Sequence, residues 1–371
     1  MKRSGIIIAI ALALSSCTHE TVPPAFAPLS ITTGGQTKTV LDGTAVRWTD
    51  GDQIAVFDDL HYRNQFDAVS VENFSAVFEG KVAARTTDFY AVYPYSSAVS
   101  ADEGNILLNL PSVQTAEEGT FAEDLNISVA HGVKTVDAVK AEGLMFRNTC
   151  ALLKFTIPSM FTSIVEATFT AGNRPLAGTL VYSKAEGRLV GVADDAPAGN
   201  SVTLKGNLKG GKTYYFVVSP GEIRDFSLTV RDASGVMLTN SSEKSFEAKA
   251  GVIRDLGEVK IVLTPNIHVE HLYSSGAHTG TNIWFDLGLL SGMEQYVESV
   301  EGYISKSGQI ADAYRIISMD RNFGTMKFPY LTLVYINKNV VPAGSYILHV
   351  RYVINGLGLF EEDVPVVVPA P

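Results

Sequence analysis

Trp48-Thr49-Asp50-Gly51-Asp52-Gln53-Ile54-Ala55-Val56-Phe57 is the stretch on which the fold turns. Before it, Val46-Arg47-Trp48-Thr49 alternates apolar with polar residues, and after Asp50-Gly51 the apolar run resumes at Ile54. An Asp-Gly between two such runs is a strong hairpin signal, because both central positions of the tight turn need a positive φ. Working outward, strand-like runs recur at 73–78, 88–93, 106–110, 152–157, 202–204, 214–218 and 226–230, separated by turn residues. Only short helices are conceivable, for example around 159–163, with a loop as the alternative there. The period of two predicts an all-β chain built of sandwiches.

The composition agrees. The 371 residues are too many for one ordinary domain and suit two or three, and 46% hydrophobic against 18% charged residues is enough to bury a core. Thirty-two Gly, 15 Pro, 15 Tyr and 18 Phe fit many short strands joined by tight turns. The formal charge of −10, with no Lys/Arg run after the leader, excludes nucleic acid as a partner.

The N-terminus supplies an address. Met1-Lys2-Arg3 is a basic head and Ile6 to Leu14 an apolar run, too short for the roughly 20 residues that span a bilayer. It ends in Leu14-Ser15-Ser16-Cys17, which resembles the bacterial lipobox; a plain secretory signal with a chance cysteine is the alternative. The small residues admit the signal peptidase and the thiol takes the diacylglycerol. Residues 1–16 are therefore read as a lipoprotein signal peptide and Cys17 as the lipidated residue. Several acyl chains hold firmly where one is marginal, at about 0.8 kcal/mol per buried methylene. The resemblance to lipoproteins of Gram-negative bacteria, with Thr18 rather than Asp after the cysteine, implies the outer membrane. Residues 17–30, with Pro23, Pro24 and Pro28, read as an extended tether. Cys150, in Asn148-Thr149-Cys150-Ala151, is then without a disulfide partner and reads as a small buried hydrophobe.

Two aromatic strands closed by proline, Asp88-Phe89-Tyr90-Ala91-Val92-Tyr93-Pro94 and Thr213-Tyr214-Tyr215-Phe216-Val217-Val218-Ser219-Pro220, echo each other. They suggest two units of similar build, 31–146 and 147–263, the second closed by a strand around 256–262. Thr264-Pro265 opens a third stretch, 264–371, with alternation at 297–304, 314–318, 331–336, 346–353 and 364–368, as in an immunoglobulin-like sandwich.

These pieces resemble the fimbrillin-like lipoproteins. The stretch 48–57 is similar to that family's W-x-x-G-D-x-I-x-V-F opening, preceded by Thr37-Lys38-Thr39 and Leu41-Asp42-Gly43. Tyr90-Ala91-Val92-Tyr93-Pro94 resembles its Y-x-A-x-Y-P strand, and Leu110-Pro111-Ser112-Val113-Gln114 its L-P-x-x-Q strand end. Phe146, Ala151 to Ile157, and Tyr214 to Gly221 fit its second domain. The resemblance covers roughly 31–262 and implies two tandem transthyretin-like β-sandwiches, here followed by the extra C-terminal domain. It also implies a lipidated surface precursor, like subunits of type V pili. In that family a trypsin-like protease cuts after a basic residue and frees the first strand. The open groove then accepts a strand from the next subunit, with main-chain bonds giving affinity and alternate side chains giving register. Lys38 and Arg47 are the candidate cut sites, Arg47 falling inside an apparent strand.

The extension beyond 263 departs from shaft subunits and resembles anchor, accessory or tip parts, or a surface lipoprotein outside any pilus that binds glycan or a host protein. Val364-Pro365-Val366-Val367-Val368 is apolar enough to be a donor strand, but Pro365 and Pro369 each remove a ladder bond. The chain is expected to stay uncleaved, anchored through Cys17.

Other motifs are resisted. Gly206-Asn207-Leu208-Lys209-Gly210-Gly211-Lys212-Thr213 fits the phosphate-loop pattern, but Tyr214 to Val218 must form a strand where that loop needs a helix. His268, His271 and His278 lack zinc spacing, and the carboxylate pairs 58–59, 117–118, 194–195 and 361–362 read as solvated turns. Ser241-Ser242-Glu243-Lys244 would need a helical turn to do acyl chemistry. Tyr62, Tyr273, Trp284, Tyr296, Tyr303 and Tyr330 could stack on sugars if they shared a face; core positions are the plainer reading. No catalytic residue, metal or cofactor is expected, and no enzymatic activity.

Overall fold

The computed structural model describes residues 25–34, 48–72, 74–162, 164–193, 199–261 and, in pieces, 266–368. The chain is all-β, with turns, three short 3₁₀ segments and no α-helix among the described residues. Strands are numbered along the chain. First come β1 (Phe26–Thr33), β2 (Gln53–Phe57), β3 (Arg63–Glu72), β4 (Ser75–Ala83), β5 (Asp88–Tyr93) and β6 (Ala98–Ala101). They are followed by β7 (Asn105–Leu110), β8 (Val113–Glu117), β9 (Thr120–Phe121), β10 (Ser128–Val133), β11 (Lys140–Leu144) and β12 (Arg147–Asn148).

Eight of these form one sheet in the order β11-β1-β4-β3-β2-β5-β10-β12. Its inner face carries a core of Leu29, Ile31, Ile54, Phe66, Phe78, Phe89 and Tyr93 with Ala141 and Leu144, so the sheet wraps around its own contents. The opposite faces of β2 and β5 are not free: Ala55, Phe57 and Val92 join a second, larger core. Burial on both faces explains why Ile54 to Phe57 is unbroken apolar sequence, not an alternation.

The second core is built by β13 (Ala151–Thr156), β14 (Ile164–Thr170), β15 (Gly178–Ser183), β16 (Arg188–Val192) and β17 (Ser201–Leu208). Completing it are β18 (Thr213–Val218), β19 (Gly221–Asp232), β20 (Met237–Ala248) and β21 (Ile253–Glu258). The sheet β18-β13-β21 faces the sheet β20-β19-β14-β17-β8-β9, and Phe216 of the first meets Phe169 of the second at 6.0 Å between ring centres. In both units the first strand runs parallel to the last, β1 beside β11 and β13 beside β21, which gives the faint sequence echo a topological counterpart.

The strand pairing does not respect a boundary at 146/147. β7 pairs antiparallel with β15, and β8 pairs parallel with β17, so 98–121 belongs by hydrogen bonding to the second sandwich. The apolar side chains of this stretch, Ile106, Leu108 and Leu110, fill the second core and carry the strands with them.

Two further expectations change. Trp48 and Thr49 are not in a strand; the Thr49 amide is held by the Asp52 carboxylate at 2.7 Å, and Gly51 takes φ +92° in a turn that only leads into β2. The expected tether 17–30 is also too long, since β1 claims Phe26 onward. Pro28 hid that strand, but β11 pairs with β1 only from Ser30, so Pro28 sits where β1 is still an edge and owes no outer hydrogen bond. At 159–162 the loop alternative holds: a turn closed by the Phe161 amide on the Pro158 carbonyl at 3.0 Å, without helix.

Toward the C-terminus come β22 (Asn266–Glu270), β23 (Ser274–Ser275), β24 (His278–Thr279) and β25 (Asn282–Asp286). Then β26 (Val297–Ser305), β27 (Tyr314–Asp320), β28 (Gly344–Ile354) and β29 (Gly358–Val368) form a sheet in the order β27-β26-β28-β29. Its Ile304, Tyr346, Leu348 and Ile354 join the second core. The expected strand at 331–336 lies outside the described residues.

Candidate functional site

The candidate site is the seam around β1. The strand is antiparallel to β4 from Phe26↔Ala83 to Thr32↔Val77 and parallel to β11 at Ser30↔Lys140 and Ile31↔Ala141. Leu29, Ile31 and Thr33 point inward by the period of two. Thr33 also ties the strand's far end, its carbonyl accepting from Ser75 Oγ at 2.7 Å and its Oγ1 from the Ala76 amide at 2.8 Å. Removing β1 would leave β4 and β11 facing each other across an apolar slot with unpaired backbone on both sides.

Two of the family-like motifs, the opening stretch and the aromatic strand, meet beside this seam. Trp48 packs edge-on against Phe78, Tyr93 and Phe146 at 5.0, 5.1 and 5.4 Å. The Tyr93 hydroxyl donates to Asp52 at 3.1 Å, so the tryptophan and aspartate of the opening motif meet the tyrosine of the aromatic strand. The Tyr93–Pro94 peptide is cis. In the second unit, Arg174 donates to the Pro220 carbonyl and to Ser219 Oγ, while Gly221 at φ +138° leaves room that a Cβ would close against the guanidinium.

Cys17, Lys38, Arg47, Asp194, Asp195, His271, Tyr273 and Tyr330 lie outside the described residues. Tyr62 is exposed and packs at a tilt against Phe26 at 5.7 Å between ring centres, while Tyr296 and Tyr303 are half-buried on the C-terminal stretch, so these three do not share one platform. Asp58 departs from the solvated reading: it is buried and accepts from the amides of Leu60, Tyr62 and Ala83 and from Asn64 Nδ2. Asp59, Asp88, His61 and Lys184 border a cavity of about 510 Å³ beside it. Asp59 there accepts the Thr87 and Asp88 amides, and Asp88 faces His131 at 2.9 Å.

The glycine-rich stretch 206–213 carries the chain from β17 in one sheet to β18 in the facing sheet, with Gly211 at φ +73° in the turn. Its two lysines both reach Glu118, Lys212 at 2.5 Å and Lys209 at 3.3 Å, and the Lys212 bond holds that carboxyl below its usual range. Ser241 to Lys244 lie in β20, without the helical turn that acyl chemistry needs.

One arrangement escaped the sequence. His349 Nε2 stands 3.2 Å from Ser305 Oγ, and its Nδ1 is bonded to Asp363, the connectivity of a serine-histidine-aspartate triad. The exposures are inverted: Ser305 is 0% exposed and Asp363 66%, so the hydroxyl has no route to a substrate. The three residues cross-tie β26, β28 and β29, and no linear pattern could have shown that.

No protein-family model matches the sequence, and no curated protein matches it. Solved structures that the chain is similar to include a proposed cell adhesion protein from Bacteroides ovatus, 15% identical over 63% of this chain and 92% of that one, with a TM-score of 0.42. A proposed cell adhesion protein from Bacteroides uniformis is 15% identical over 71% of this chain and 98% of its own, at 0.40. A fimbrial protein from Bacteroides ovatus is 13% identical over 63% of this chain and 49% of its own, at 0.32. The structural neighbours are thus cell adhesion and fimbrial proteins, the class that the sequence motifs resemble, although identities and TM-scores this low carry no argument by themselves.

Proposed function

We propose that the chain is a fimbrillin-like surface lipoprotein, held at the outer membrane through lipid on Cys17, and an anchor or accessory part of a pilus rather than a shaft subunit. The observation that carries the reading is that the first and last described strands are both engaged within the fold. β1 is inserted between β4 and β11, and β29 is paired with β28 from Gly358↔Ile354 to Val368↔Gly344. A shaft subunit needs its first strand cut away to open the groove and a free strand to give, whereas here β29 is committed to β28 and β1 is costly to lose. Here the groove is filled by Leu29 and Ile31, whose exposure would cost about 3–6 kcal/mol at ~1.5–3 kcal/mol each.

N-terminal sequencing of protein from intact cells tests it. A blocked N-terminus at Cys17 with palmitate incorporation is expected, and Cys17→Ser should release the chain from membranes. A mature N-terminus at Thr39 or Trp48, after Lys38 or Arg47, would overturn the uncleaved reading.

A further inference from the structure

We infer that the end of the eight-stranded sheet at which β1 begins is a bilayer-contacting surface, seated on the membrane that carries the anchor; this rests on lipidation at Cys17. The strand directions define that end. β1, β3, β5 and β11 start there while β2, β4 and β10 finish there, as Phe26↔Ala83, Phe57↔Arg63 and Asp88↔Val133 show. Phe26, Leu60, Tyr62, Val133, Val136 and Val139 lie in or beside its loops, each between 44% and 68% exposed. Among the described residues of the loops at the opposite end of the same sheet, the large exposed apolar residues are Phe74 and Met145.

The exposure is built in. The four bonds to Asp58 lock the loop that presents Leu60 and Tyr62, with His61 between them at φ +63°. Asp59 takes the Thr87 amide at 2.8 Å and the Thr87 carbonyl takes the Lys134 amide at 2.9 Å, lacing three loops into one surface. Such apolar side chains in fixed loops gain by leaving water, and a Phe-Tyr pair in contact, with a polar hydroxyl, suits the headgroup boundary.

The chain outside the described residues says what covers this surface. Nine Cα steps separate Cys17 from Phe26, which span at most about 32 Å. A lipid on Cys17 therefore keeps this end close to the bilayer, at an effective concentration where even a weak contact stays occupied. Arg63, Arg85, Lys134 and Lys140 offset Asp58, Asp59, Asp88 and Asp137, so the contact is apolar and needs no anionic lipid.

The test couples the mature chain through the Cys17 thiol to a maleimide lipid in phosphatidylcholine vesicles, with and without bromine on the acyl chains; Cys150 is buried and does not compete. Emission from an added tryptophan in Leu60→Trp, and separately in Val136→Trp, should be lost to the brominated lipid. Emission added by Ala233→Trp, in the β19–β20 turn, should not. Replacing part of the lipid with phosphatidylglycerol should change nothing. Equal, unquenched emission at 60, 136 and 233 would overturn the docking surface, and so would a requirement for anionic lipid. Because the anchor is supplied chemically, absent palmitate labelling in cells would instead remove the lipidation on which the physiological contact depends.

Discussion

Gln114 serves Val217 as a strand would: its Nε2 donates to the Val217 carbonyl at 2.8 Å and its Oε1 accepts the Val217 amide at 3.0 Å. Gln114 belongs to β8 in one sheet and Val217 to β18 in the facing sheet, so one buried amide joins the two layers of the second sandwich. The same Nε2 also reaches the Pro111 carbonyl at 3.2 Å, which fixes the bend of the L-P-x-x-Q motif.

Gln114→Ala should therefore be costly for an exposed-looking glutamine. Both backbone groups of Val217 would be left unpaired in a dry interior, at about 1–3 kcal/mol each, giving an expected loss of about 2–6 kcal/mol. Urea unfolding reads it as a lower midpoint at an unchanged slope. A midpoint equal to the parent's would mean that water replaces the amide.

A core substitution in β1 asks whether the strand is held by its fold alone. Ile31→Ala should lose about 2–5 kcal/mol, because Ile31 is fully buried among aromatic side chains. Thr32→Ala, whose side chain points to the other face, should stay within about 0.5 kcal/mol. Equal effects from the two would show that β1 is not seated as described.

How much of this was legible depends on where each residue's partner sits. β2 and β5 were readable because their apolar runs are local, and the runs at 106–110, 214–218 and 226–230 fall inside strands for the same reason. β1 was missed because Pro28 breaks the pattern and its support comes from β4 and β11, far along the chain. The transfer of β6–β9 to the second sandwich was equally invisible, since Leu108 looks the same whichever core it fills. Trp48, Asp52 and Tyr93 were recognised as motif residues, but a hydrogen bond spanning 41 positions could not be read from either motif. At the seam itself, Leu29 and Ile31 are the residues that matter, and the bare alternation of two aliphatic residues was their only signal.

Cys150 should behave as an inert thiol. Burial pushes it up to about 12 despite a contact with the Thr149 hydroxyl, so the thiolate is absent at neutral pH. A thiol reagent should leave it unmodified in the native chain carrying Cys17→Ser and label it at once in denaturant. Rapid labelling under native conditions would place Cys150 outside the core.

The glycine-rich turn between β17 and β18 predicts indifference to nucleotide. Lys212 is half-exposed and shares Glu118 with Lys209, so in Lys212→Ala one partner remains for the carboxylate. The melting temperature should move by no more than about 2 °C, and calorimetry with ATP should give no saturable heat. Binding abolished by this change would show that a strand-flanked loop can do what a helix N-terminus does.

Acid should unsettle the second sandwich at Glu166. The Arg231 side chain reaches this carboxylate at 2.7 Å and Lys205 at 4.0 Å, both from the strands that flank β14. The hydrogen bond from Arg231, aided by both positive charges and opposed by partial burial, holds the carboxyl below its ordinary value of 4.5. Above that value both native and unfolded chains are ionised and the contribution to stability is fully present. As the pH falls through it, the unfolded chain takes up a proton first, so stability declines until the native carboxyl is protonated as well. Glu166→Gln should thus be less stable than the parent at neutral pH and lose less between about pH 6 and about pH 3, so that the two stability curves converge in acid. Denaturant midpoints across that range measure it, and parallel curves would mean that the Glu166–Arg231 contact contributes nothing in solution.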